Sequence, residues 1–121
     1  MSIEMTHTHR EDGINLMTLV GDLDVESVTA FNFDAKFAAA VAARHEPTIV
    51  DMSGVKQISS LGMGALVGNA TSLKRRGTGM VLMGCSPMVT EALRIAGIDK
   101  LIPLVDNEDQ AIGALRAMST E

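Results

Sequence analysis

Thr48-Ile49-Val50-Asp51-Met52-Ser53-Gly54-Val55-Lys56-Gln57-Ile58-Ser59-Ser60-Leu61-Gly62-Met63-Gly64 carries more information than the rest of the chain. A short apolar run, Thr48 to Val50, ends in Asp51 and reads as a buried strand followed by a polar loop. The serine pair then opens a glycine-spaced apolar helix from Leu61 to Arg76, stopped at Gly77. Met63, Leu66, Val67, Ala70 and Leu73 fall on its inward face. A hydroxyl is thereby placed at a helix N-terminus, where unpaired backbone N–H groups and the helix dipole favour negative charge.

Upstream, Ser2 to His9 alternates weakly, Glu11-Asp12-Gly13 is a turn signal, and Ile14 to Val20 resumes with strand character, so the pair reads as a hairpin. Gly21-Asp22-Leu23-Asp24 breaks the second strand and offers Asp24 as a helix cap. Val25 to Arg44 is helical by composition, ended by His45-Glu46-Pro47. Its expected core stripe is Val28, Phe31, Ala35, Ala38 and Ala42. Downstream come a strand over Met80–Met83, a helix over Pro87–Ala96 capped by Gly97, a strand over Leu101–Val105 and a helix over Glu108–Met118. Strands separated by helices imply a largely parallel sheet. The expectation is one domain over residues 1–121: a compact α/β sandwich with about five strands, an N-terminal hairpin and about four helices.

Composition bounds the function. The 121 residues carry a net charge of −5, no Trp, no Tyr and three Phe, so the core must be built from aliphatic residues and nine Met. Basic patches and stacking rings are missing, and nucleic acid is not an expected partner. No apolar run reaches membrane-spanning length, so membrane insertion is not expected. The single Cys85 cannot form an internal disulfide, and Met1 to Arg10 does not read as a secretory signal. Together these suggest a cytoplasmic protein.

Three motifs fall in a familiar order: Gly21-Asp22-Leu23-Asp24, then Asp51-Met52-Ser53, then Ile58-Ser59-Ser60-Leu61-Gly62. Ser86-Pro87-Met88-Val89 before a helix ending in Gly97-Ile98 is a fourth. This order resembles the STAS domain (sulfate transporter and anti-sigma factor antagonist), and the resemblance covers nearly the whole chain. It implies an anti-sigma factor antagonist-like regulator, not an enzyme, that needs no cofactor and binds an anti-sigma factor with serine-kinase activity. It also implies Ser60 as phosphoacceptor, with Ser59 the second choice, and a partner interface of Asp24, Ser59, Leu61, Gly62, Gly64 and Gly68. The chain departs from the family pattern at two points: Ser59 stands where the motif aspartate belongs, and Leu61 where Ser or Thr is usual. That departure keeps open an alternative, an unphosphorylated STAS scaffold subunit of a signalling or transporter complex.

Each candidate also has an ordinary structural reading. Ser59 or Ser60 could serve only as a helix cap. Asp22, Asp24 and Asp51 form either an acidic rim around Ser60 or a set of caps and solvated ends; a magnesium site lacks a supporting nucleophile or lysine. Gly64, Gly68 and Thr71 present either a flat surface for a partner or a packing face within the domain. Phe33, Phe37 and Val41 lie off the expected core stripe, which makes them either a patch for self-association or the second buried side of the helix. His7 and His9 share a strand face, but with His45 distant they complete no metal set. Cys85 reads as a small core residue.

Overall fold

The computed structural model describes residues 3–42 and 46–119. Strands β1 (Glu4–His9) and β2 (Asn15–Leu23) pair antiparallel, from Glu4 opposite Val20 to His9 opposite Asn15. Gly13, with φ of +84°, turns the chain between them, while the Asp12 carboxylate accepts from the Ile14 N–H at 3.3 Å. Strands β3 (Thr48–Ile58), β4 (Met80–Met83) and β5 (Leu104–Val105) follow in sequence order, each parallel to its neighbour. Helices α1 (Val25–Phe31), α2 (Phe33–Ala42), α3 (Ser60–Arg75) and α4 (Pro87–Ile95) share one hydrophobic core with one face of the sheet. Helix α5 (Glu108–Ser119) covers part of the other, where Ala111 and Leu115 pack with Ile14, Ile49 and Val81. Adjacent residues such as Ile49 and Val50, or Val81 and Leu82, therefore serve opposite cores. Among the described residues no helix is long and apolar enough to cross a membrane.

The strand at the centre of the key stretch is longer than its apolar run. Instead of ending at Val50, β3 continues through the expected loop to Ile58, burying Met52 and Val55 on the way. Likewise Gly21-Asp22-Leu23 does not end β2 but continues it past two shifts of register. Gly21 takes φ of +114°, and a Cβ on Gly54 would stand 2.9 Å from a Val20 methyl and 3.0 Å from the Leu19 carbonyl oxygen. Glycine at these two places lets the strands stay paired where polar residues suggest a break.

The first helix differs more. Asn32 adopts a left-handed conformation (φ 58°, ψ 46°) and its N–H closes on Thr29 and Val28, so the expected single helix is two. Asn tolerates this conformation better than other residues with a Cβ. The break resets the helical phase. Phe33 and Phe37, stacked at 5.1 Å, go into the core with Val41, all at 2 % exposure or less. Ala35, assigned to the core stripe, is exposed, and Phe31 is only half-buried, with the Lys36 ammonium 4.1 Å above its ring. The expected self-association patch of Phe33, Phe37 and Val41 is therefore the core of the protomer itself. Arg44 and His45, and the side chain of Ala42, lie outside the described residues.

Elsewhere the differences are of length. A 3-10 turn, Ile98–Lys100, leads into a strand β5 of two residues, where five were expected. Helix α4 starts as its sequence dictates: Pro87 sits in the first turn, and the Ser86 hydroxyl accepts from the Val89 N–H at 3.2 Å.

Candidate functional site

The register of β2 and β3 builds the site. Leu23 pairs with Ile58, and both strands end there in helix caps, Asp24 for α1 and Ser59 for α3. The Ser59 N–H donates to the Leu23 carbonyl at 2.7 Å, tying the two caps together. The N-termini of α1 and α3 thus emerge side by side at one end of the sheet. Asp24 accepts from the Ser27 N–H at 2.7 Å, and hydrogen bonding to Ser27 holds its carboxyl below the ordinary carboxylate range.

The two serines have different tasks. Ser59 is half-buried, and its hydroxyl accepts from the Gly62 N–H at 3.2 Å, which is ordinary capping. Ser60 is the first residue of α3, exposed, with its hydroxyl engaged by no other described residue. The N–H groups of Ser60 and Leu61 likewise have no acceptor among the described residues, because the cap serves Gly62 and the helix begins with Met63 donating to the Ser59 carbonyl. A free hydroxyl beside unpaired amides at the positive end of a 16-residue helix can carry an anionic group with little strain.

Leu61 is 52 % exposed, and Val25 across the paired caps is 57 % exposed. Two large apolar side chains, one at the start of each helix, thus stand in water. Val25 was not singled out in the sequence. The signal was present, since an apolar residue directly after a helix cap has no inner face to bury against. Gly64, Gly68 and Thr71 continue the exposed side of α3. A Cβ on either glycine would meet no atom within 4 Å, so the face is open and packs on no neighbouring helix. Gly62 does not belong to this surface. It is buried, and a Cβ there would press on Leu23 and Ile58 at 3.1–3.3 Å, so its role is to let α3 close onto the strand ends.

The acidic rim is only partly assembled. Asp22 sits near the paired strand ends, half-buried, with one carboxylate oxygen enclosed and unpartnered among the described residues. Asp51 is elsewhere. It pairs opposite Thr18 and Met83, roughly 17–23 Å down the sheet from the Leu23–Ile58 pair by strand rise, and accepts from the Ser53 N–H at 3.0 Å and the Ser53 hydroxyl at 2.7 Å. Among the described residues no three His, Cys, Asp or Glu are placed to hold a metal ion. His7 and His9 are exposed, His9 pairing with Glu46 at 2.8 Å. The Cys85 thiol is packed against the core and pushed up to about 11 by burial, which suits a structural cysteine.

Residues 5–111 match the STAS domain. The chain belongs to the STAS domain family. This STAS domain is 28 % identical, over 120 residues and 98 % of both chains, to the anti-sigma F factor antagonist of Paenibacillus polymyxa. It superposes on an anti-sigma factor antagonist from Mycobacterium paratuberculosis with a TM-score of 0.79 at 28 % identity, covering 95 % of each chain. It also shares its fold with the Bacillus cell fate determinant SpoIIAA in the phosphorylated form. That match has a TM-score of 0.66 at 19 % identity, covering 92 % of this STAS domain and 98 % of that chain.

Proposed function

We propose that this STAS domain is a non-enzymatic regulatory module of the cytoplasm, an anti-sigma factor antagonist that binds an anti-sigma factor with serine-kinase activity. Ser60 is its phosphoacceptor. Ser59, Leu61, Val25 and the Gly64–Gly68 face form the docking surface with Asp24 at its edge. The observation that carries this reading is the division of labour between the serines. Ser59 caps the helix through its hydroxyl, which leaves Ser60 exposed and chemically free. A kinase needs such a hydroxyl, and modifying it does not dismantle the cap.

Phosphate on Ser60 adds about −1.5 to −2 charges next to the exposed Leu61, at the helix end tied to the α1 cap that precedes the exposed Val25. A partner that covers those side chains would then have to desolvate a dianion, and repulsion of only about 1.4 kcal/mol lowers affinity tenfold.

One feature favours a second reading, the unphosphorylated scaffold. The residue before the acceptor is Ser59, not the motif aspartate, so no carboxylate stands next to Ser60 in sequence to orient a kinase. Incubation with ATP and a serine kinase of the anti-sigma type, followed by intact mass, separates the two. The regulator gains one phosphoryl group, loses it in Ser60→Ala and keeps it in Ser59→Ala. The scaffold gains none.

A further inference from the structure

At the opposite end of α3 from Ser60 the fold leaves a cavity of about 570 Å³, within the usual size range of small-molecule sites. Ala70 and Lys74 place it about 15–21 Å along the helix from Ser60. It is bounded by the last turns of α3 and α5, the Thr78–Gly79 approach to β4 and the Leu101–Pro103 segment. Ala70, Ala114 and Ala117 line its walls with short side chains, and the Met118 sulfur packs over Gly79, where a Cβ would stand 2.3 Å from it. Met80 is buried and Met118 half-buried, so the interior is apolar and deformable.

The polar groups on the lining are unbalanced. Lys74 and Lys100 are both exposed and form no ion pair among the described residues, against the single carboxylate of Asp99. In a chain of net charge −5 a local cationic excess runs against the general field. An apolar hollow beside two ammonium groups with no ion pair among the described residues matches one kind of small molecule, an aliphatic chain ending in an anion.

We propose that this cavity binds a free single-chain aliphatic carboxylate, with its chain against Met80, Ala114 and Met118 and its head group at Lys74 and Lys100. The assignment is independent of the role of Ser60. The test is calorimetry of the full chain with decanoate, 1-decanol and acetate, with NMR shift mapping of the bound state. Decanoate should bind saturably and shift Ala70, Met80 and Met118, while 1-decanol binds about tenfold more weakly and acetate not at all. Lys74→Ala with Lys100→Ala, both at exposed positions, should lower decanoate affinity about tenfold and leave 1-decanol unchanged. Ala114→Phe, checked for folding by circular dichroism, should abolish binding of both. Equal affinities for decanoate and 1-decanol, shifts confined to other surfaces, or attachment to anionic phospholipid vesicles with no binding of free decanoate would each overturn the proposal.

Discussion

Gly64→Ala and Gly68→Ala, made together, should move stability and partner binding in opposite directions. Both glycines lie inside α3, both are exposed, and an added Cβ meets nothing within 4 Å at either. Each replacement then removes only the conformational cost of glycine in a helix, about 0.5–1 kcal/mol, so the pair should stabilise the fold by about 1–2 kcal/mol. For a domain of this size that corresponds to a rise in Tm of roughly 3–6 °C per kcal/mol. If the face admits a partner's backbone, the two methyl groups obstruct it at about 1–3 kcal/mol, or roughly five- to 150-fold in affinity. Urea unfolding followed by circular dichroism reads the first effect, and calorimetry with the anti-sigma factor reads the second. Gly62→Ala is the internal contrast. Its Cβ would press on Leu23 and Ile58, so it should destabilise despite the same gain in helix propensity. Loss of stability in the double variant would show that the face is packed. Unchanged affinity in a stabilised double variant would remove the face from the interface.

Three further outcomes follow from the packing and electrostatics. Phe37→Ala removes a fully buried, stacked ring and should cost about 3–5 kcal/mol by urea unfolding, without changing the oligomeric state seen by sedimentation. The Asp24 carboxyl is held low in the folded state, so its contribution is present above its unfolded pKa, near 3.9, and is lost as pH falls through the lower folded value. Asp24→Asn keeps the cap and should flatten the acid limb of the urea midpoint against pH; an unchanged limb would contradict the assignment. Cys85, pushed up to about 11, should be alkylated slowly by iodoacetamide at pH 8 in the native protein and rapidly in urea. Equal rates would place the thiol in solvent.

Much of this architecture is legible in the residues, and the failures have local causes. The hairpin, the parallel order and the helix behind Ser60 follow from periodicity, turn residues and caps. Two strands ran past their apparent ends because glycine there serves close approach and bulging: Gly21 with its positive φ and Gly54 against Val20. Polar spacing in Asp51–Gln57 hid a strand in which Met52 and Val55, three residues apart across a shift of register, are both buried. The long helix failed at one residue. Asn32 breaks it, and an alanine-rich second half has too few large side chains to reveal the change of phase. That single break turned Phe33, Phe37 and Val41 from an apparent surface patch into core. At the site, Ser60 was readable because a helix N-terminus is a local feature. Burial of Gly62 and displacement of Asp51 were not, because both depend on the register between β2 and β3.

The charge gate at Ser60 is tested most directly by calorimetric affinity of an anti-sigma factor kinase for wild type, Ser60→Ala and Ser60→Asp. Circular dichroism should first show all three folded. A carboxylate in the first turn of α3 is favourable to the helix by about 0.3–1 kcal/mol, and the capping hydroxyl of Ser59 is untouched. Ser60→Ala should bind as wild type does, and Ser60→Asp should bind at least about tenfold more weakly, a loss of about 1.4 kcal/mol. Equal affinity of Ser60→Asp and wild type would contradict a charge-gated interface and leave the unphosphorylated scaffold as the better account.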